Sequence, residues 1–331
     1  LKDVWRDGVQ VQHYGYDTNG NRTLVEDVQA GTSISPSYDN QDRLTVYGAL
    51  LAYLIISGEF LHNILSQFFV VPPTSYSLWF FALMSVLLLF RLRTVAFVEF
   101  AMTLFFIVLV FVIFGVGVPH IQLANLASFI PDFWFLPYGV LLFAFAGLTS
   151  LPIQRQILKG HERELKLSII IAVLVTSVLF VLFAFAVVGV SGETTTPDAL
   201  EGLLETLGYK IIFLGSLFGV LTISTSYLML GTALLEVFTL DYHISRRAAW
   251  MLVAFPSLAL FFAGLRNFID VIGLIGSVAI GIEAVVVIMM VFRARKRGTR
   301  LPEFTINVPR AFLYLLALIF AAGVVYAFLG Y

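Results

Sequence analysis

The sequence predicts an all-α polytopic membrane protein with about nine transmembrane helices, preceded by a short turn-rich or β-hairpin tail. Three observations carry this reading. First, 59% of the 331 residues are hydrophobic and only 12% are charged, and the mean hydropathy is +0.93. A soluble domain cannot cover that much apolar surface. Second, windows of about 20 residues select apolar runs at 44–65, 77–90, 95–118, 133–153, 167–190, 211–238, 248–263, 268–292 and 309–329. Third, basic charge alternates between the connecting loops. Arg91 and Arg93 follow the second run, and Arg155, Lys159, Arg163 and Lys166 the fourth. Arg246 and Arg247 follow the sixth, and Arg293, Arg295, Lys296, Arg297 and Arg300 the eighth, whereas the intervening loops hold only Lys210 and Arg266. Basic loops stay in the cytoplasm. That places the N-terminal tail inside and Tyr331 outside, in the plasma membrane. The net charge of −1 gives no sign of a nucleic-acid partner, and the absence of cysteine excludes disulfides, thiol catalysis and thiolate metal sites.

Taken in order, the runs differ in what they carry. The first contains Tyr53, and Glu59 and His62 at spacing i, i+3 on one face. The second, 77–90, spans only about 21 Å as a helix and needs neighbours or polar flanks. The third has Glu99 at its cytoplasmic end, a place where a long side chain can reach the headgroups. The fourth reads "LLFAFAGLTSLP" from Leu141 to Pro152. Backbone polar groups at lipid depth need a helix or a cavity. Gly147 and Pro152 weaken a helix, while Thr149 and Ser150 offer hydroxyls to freed backbone groups. The segment therefore predicts an unwound stretch near Ala146–Thr149 between two half-helices, whose ends can hold a zwitterion or an ion. A Pro-kinked helix packed by small residues is the alternative.

After the fifth run, the acidic loop at 191–207 contains "PDALEGLLETLG", which predicts a short amphipathic helix lying on the outer surface. In the sixth run, "LTISTSYLMLG" puts Thr222, Thr225 and Ser226 at i, i+3 and i+4, so one helix face carries three hydroxyls. Such a face suits a sodium ion, or hydroxyls that bond back to their own helix. Glu236 sits near the cytoplasmic end of the same run. Glu283 lies within the eighth run, where a charge is costly and marks a functional candidate. His120, His161 and His243 fall in separate loops and argue no metal site.

Four segments, in order and with matching loop charges, resemble the amino acid/auxin permease and aromatic amino acid permease families of the amino acid–polyamine–organocation superfamily. "LTVYGALLAYLIISGEFL" resembles the third helix of these families, and "PYGVLLFAFAGLTSLP" their sixth. "STSYLMLGTALLEVF" resembles their eighth, and "NFIDVIGLIGSVAIGIEA" with "RARKRGTRLPEF" their tenth helix and the loop after it. The resemblance covers residues 44–331. It implies a partial leucine-transporter-like (inverted-repeat) fold and ion-coupled symport of amino acids by alternating access, with no enzymatic activity and no cofactor beyond Na+ or H+ as coupling ion. The partners it implies are an amino acid substrate and the lipid bilayer. It further implies substrate contacts from Phe143, Phe145, Ala146, Gly147, Leu148 and Thr149 on the sixth helix and from Tyr53 on the third. Thr225 and Ser226, with Thr222 behind them, become the sodium-site candidates. Proton-coupled relatives can place a lysine on the fifth helix; 95–118 has none, which leaves Glu59 and Glu283 as proton-coupling candidates. Leu148 stands where these families often carry His or Gln, which blurs the substrate more than the class.

Residues 1–43 differ in kind. Tyr16-Asp17 and Tyr38-Asp39 resemble the tyrosine–aspartate (YD) repeats of Rhs-type proteins, and Asn19-Gly20 is a hairpin turn signal. The chain starts at Leu1, and the expectation is that this tail stands where such a transporter fold places two helices before 44. The expectation is a recombined or misjoined gene, and a transporter that is incomplete and inactive as given. The alternative function is a membrane anchor for a YD-repeat module, without transport.

Overall fold

The computed structural model describes residues 3–6, 9–16, 22–27, 32–34, 40–90, 95–127, 131, 134–151, 154–155, 158, 160–297 and 308–330, and side chains from residue 43 onward except around a few of the gaps. The tail forms strands β1 (Asp3–Arg6), β2 (Val9–Tyr16), β3 (Arg22–Asp27) and β4 (Thr32–Ile34). They pair antiparallel in the order β1-β2-β3-β4. Tyr16 pairs with Arg22 across the β2–β3 connection. That connection, with Asn19-Gly20, lies outside the described residues, as does Tyr38-Asp39.

The remainder is helical: α1 (Asn40–Leu65), α2 (Pro73–Leu87), α3 (Val95–Gly117), α4 (Leu136–Ala144), α5 (Leu165–Ser191), α6 (Leu204–Leu207), α7 (Tyr209–Glu236), α8 (Arg246–Phe262), α9 (Phe268–Ile275), α10 (Gly281–Arg297) and α11 (Arg310–Gly330). Each apolar run of the sequence overlaps one of these helices. Six stretches among the described residues are long and apolar enough to cross a membrane: Arg43–Leu65, Phe100–His120, Leu165–Thr194, Tyr209–Asp241, Phe268–Ala294 and Arg310–Leu329. The protein is therefore a multi-pass membrane protein. The other three runs coincide with the shorter helices α2, α4 and α8. α2 begins earlier than hydropathy suggests because Pro72 sits at its cap and Pro73 opens its first turn, where a missing N–H costs nothing. α9 starts at Asn267, whose side-chain oxygen accepts from the Ile269 and Asp270 amides at 3.0 and 3.3 Å, an N-cap that satisfies two orphan donors.

Two cores hold the helices. The larger gathers Leu50, Leu54, Phe80, Met84, Tyr227, Val253, Ile275 and their neighbours from α1, α2, α7, α8 and α9. The smaller joins Leu109, Ile113, Val187, Ile212 and Phe218 of α3, α5 and α7 with Leu200 and Leu203 of the outer loop. The loop's apolar face is thus spent on the bundle rather than on the surface. It forms a 3₁₀ turn (Glu201–Leu203) running into α6, with Leu203 fully buried. Burial separates inner from outer spans: 56% of the α1 window is buried, against 11% for Leu165–Thr194 and 17% for Arg310–Leu329. α5 and α11 therefore present continuous apolar faces outward, as lipid-facing helices do.

Candidate functional site

The fourth run breaks. α4 ends at Ala144, residues 146–147 belong to no helix, and Leu148–Ser150 form a 3₁₀ turn. The hydrogen bonds follow suit. Phe145 N still reaches Leu141 O at 3.0 Å, but Ala146 N turns to Phe143 O at 3.2 Å. The Gly147 carbonyl is taken by Ser150, through its amide at 3.1 Å and its hydroxyl at 2.8 Å. This is the hydroxyl service to freed backbone that membrane depth requires. The helical residues Gln154 and Arg155 follow; Pro152 and Ile153 lie outside the described residues. Residues 144–148 are exposed. Gly147 has φ −114°, and a Cβ there would meet nothing closer than 3.9 Å. Neither conformation nor crowding requires glycine, so its effect is to leave the backbone bare.

α4, which leads into the break, packs against a second irregular helix. α9 and α10 are one rod with a π-helical turn at Gly276–Ile280 between them. α4 crosses this rod at its glycines. A Cβ on Gly139 would lie 2.0 Å from the Gly273 carbonyl oxygen and 2.3 Å from Ser277 Oγ, and one on Gly276 would lie 1.8 Å from the Gly139 carbonyl oxygen. The two backbones touch with no side chain between them.

The predicted substrate residues divide. Phe143 packs on the larger core, as does Tyr53 of α1. Phe145 faces the other way, edge-to-face on Phe180 of α5 with centroids 5.3 Å apart. Ala146, Gly147 and Leu148 line the exposed break; the Thr149 side chain lies outside the described residues. The predicted ion residues also divide. The Tyr53 hydroxyl faces the Ser226 side chain, which brings one substrate candidate beside one ion candidate across α1 and α7. Thr225 Oγ1 donates to Thr222 O at 2.9 Å, the back-bonding that hydroxyls adopt in membrane helices; its lone pairs remain available. Thr222 Oγ1 is a buried atom without a partner among the described residues. Glu283 stands in the first turn of α10, half-buried just past the π turn.

Glu59 is half-buried near the Leu65 end of α1, far along the helix from Arg43. A cluster that sequence reading missed lies at this end of the helix. Asn63 Nδ2 donates to Asp198 Oδ2 at 2.6 Å and to Ser216 Oγ at 3.2 Å. Asp198 Oδ1 accepts from Thr196 Oγ1 at 2.5 Å and from the Leu200 and Glu201 amides at 3.3 Å each. The Asp-Ala-Leu-Glu stretch at 198–201 has capping-box spacing and could have flagged the turn; its docking partner is 135 residues away. At the other end of the bundle Arg43 donates to Tyr242 Oη and stacks over its ring at 4.5 Å, and Arg246 donates to Leu89 O at 3.3 Å. No group of three metal-ligating side chains occurs among the described residues.

Comparison with protein families gives one further finding. The profile of the tryptophan/tyrosine permease family matches residues 43–329, beginning at the arginine that anchors α1 and leaving the β-tail outside. No curated protein matches the chain.

Proposed function

The chain belongs to the tryptophan/tyrosine permease family, and from that premise we propose that it is a secondary transporter that couples amino acid uptake to an ion gradient. The observation that carries this reading is the break at residues 145–147, which ends α4, a helix that crosses the glycine-lined rod of α9 and α10. An interrupted membrane helix exposes backbone dipoles that can hold a substrate's carboxylate or ammonium group. Phe143 and Tyr53 supply apolar and aromatic surface beside it. An inverted-repeat arrangement of the leucine-transporter kind accommodates this geometry: α1, α2, α7 and α8 share one core as a scaffold, and α4 crosses α9 on bare backbone as a moving element would. The positive-inside pattern sets the Arg43–Tyr242 end in the cytoplasm and the Asn63–Asp198 end outside. Residues 1–43 form a separate extramembrane tail in this reading. Sodium would bind at Ser226 and Thr225, with Thr222 Oγ1 as a further oxygen; a proton would use Glu59 or Glu283. The anchor alternative gains no support from the family match.

The test is uptake of radiolabelled tryptophan and tyrosine into proteoliposomes under imposed sodium and proton gradients. Saturable uptake driven by one of the two gradients is expected. Uptake that ignores both gradients would remove the coupling, and no uptake of any amino acid would remove the function.

A further inference from the structure

We propose that residues 68–72, in the connection between α1 and α2, form a non-helical wedge that runs back into the lipid and packs on acyl chains of the leaflet at the Asn63–Asp198 end. The two helices meet this connection at different depths. A Cβ on Gly58 of α1 would lie 2.3 Å from Ser77 Oγ and 2.6 Å from the Pro73 carbonyl oxygen, so the first turn of α2 is level with Gly58. α1 continues past that level to Leu65, a further rise of about 10 Å. Its far end carries a polar layer: Asn63 with Asp198 and Ser216, and Tyr209 Oη donating to Asn63 O at 3.3 Å. The chain that leaves this layer at Leu65 must therefore descend about 10 Å to reach Pro73. The opposite end of the bundle gives the same depth. Arg43, bonded to Tyr242, lies about 22 Å along α1 from Gly58. Arg246 donates to Leu89 O at 3.3 Å, about 24 Å along the chain of α2 from Pro73. Hydrocarbon about 30 Å thick thus extends past the start of α2 and takes in the descending loop.

Sequence and backbone suit that place. "SQFFVVPP", Ser66 to Pro73, passes from two polar residues to apolar ones, the order expected of a segment entering lipid from the headgroups. Phe68 is 70% exposed and Val70 96%, apolar surface that is costly in water and at home against acyl chains. Backbone at lipid depth needs its polar groups satisfied, and the loop does much of this itself. The Phe68 and Phe69 amides donate to Leu65 O at 2.9 Å each, Val71 N to Phe69 O at 3.1 Å and Ser75 N to Pro72 O at 2.9 Å. Pro72 and Pro73 have no N–H to satisfy. The fully buried Tyr76 donates its hydroxyl to Phe69 O, and Ser77 Oγ donates to Pro73 O at 3.4 Å. The Phe69 ring rests edge-to-face on Trp79 with centroids 5.8 Å apart, which fixes the wedge to α2. With the loop as its continuation, the 15-residue α2 completes a crossing that its own length falls short of.

The wedge goes beyond the transport reading and takes from it only the orientation that makes this leaflet the outer one. Its test requires neither transport nor that orientation, so the two fail separately. The chain has no cysteine, so Gln67→Cys, Val70→Cys and Val178→Cys each carry a single nitroxide spin label. Val178 is exposed near the middle of the lipid-facing α5 and marks the membrane interior. The full chain is placed in phosphatidylcholine vesicles with a water-soluble nickel chelate on both faces. Power saturation then measures collisions with oxygen, which concentrates in lipid, and with the chelate, which stays in water. The oxygen-to-nickel ratio at position 70 should exceed that at 67 severalfold and approach that at 178. A ratio at 70 no higher than at 67 would put the loop in water and overturn the proposal. Low collision rates with both reagents would place the chain's own surface over the loop, and spin–spin broadening that disappears on dilution with unlabelled protein would place a second copy there; either result overturns it as well.

Discussion

Two helices of this molecule that cross each other are both interrupted, and the interruptions are opposites. At residues 145–147 the backbone of the α4 segment is open and exposed, and a methyl group could be added at Gly147 without touching anything within 3.9 Å. At Gly276–Ile280 the chain makes a π turn instead, buried, with Gly276 so close to Gly139 that an added Cβ would sit 1.8 Å from a carbonyl oxygen. The second lies in a stretch long and apolar enough to cross a membrane; in either place a lost α-helical hydrogen bond away from water must be replaced. The first break satisfies its backbone partly through Ser150 and leaves the rest accessible. The second keeps its hydrogen bonds by widening the turn and uses glycine only to admit another helix. Glycine thus leaves the backbone open in one place and admits a neighbouring helix in the other.

Substitutions can break that contrast. The largest effect is expected from Gly276→Val. The side chain would have to displace the α4 backbone, an overpacking cost of about 1–3 kcal/mol or more, and the thermal midpoint should drop sharply or folded protein be lost. A variant as stable as the parent would show that α4 and α9 are not in contact. Next comes the hydroxyl pair: Thr225→Val with Ser226→Ala removes two ion-ligand candidates while changing little volume, and sodium dependence of uptake should vanish with the fold intact. Persistence of sodium dependence would assign these hydroxyls to helix back-bonding alone, as the Thr225–Thr222 bond already allows. Tyr53→Phe removes the hydroxyl that faces Ser226, a hydrogen-bonding group worth about 1 kcal/mol to a bound substrate. It should raise KM about fivefold and leave stability nearly unchanged. The smallest effect on stability, within about 0.5 kcal/mol, is expected from Gly147→Ala, measured by the same thermal unfolding. The same variant should still impair uptake, because the methyl group covers bare backbone.

Much of this was legible in the sequence, for identifiable reasons. Hydropathy located the helices because lipid demands continuous apolar runs, and Gly147 with Pro152 marked the break because both weaken a helix. The π turn was invisible: "GSVAI" is as apolar and as helix-compatible as its surroundings, and only the approach of Gly139 distinguishes it. Side-chain direction was beyond reach as well. Phe143 and Phe145 are two residues apart and so face opposite sides of the chain, and nothing in their order says that Phe145 goes to Phe180. The Asn63–Asp198 clasp joins residues that share no local pattern, and the loop expected to lie on the surface is drawn inward by Leu200 and Leu203. The β-tail carries strand and turn signals of its own, unrelated to the hydropathy of the bundle.

The account's central claim is that the open break, not the buried π turn, receives the substrate. The chain contains no cysteine, so a single Leu148→Cys can be labelled without background, with Ala279→Cys beside the π turn as the comparison. The rate of modification by a small thiol reagent is measured with and without tryptophan or tyrosine. The account predicts that substrate slows labelling at position 148 severalfold while position 279, 1% exposed, remains unreactive in both conditions. Labelling at 148 that is indifferent to saturating substrate would contradict it.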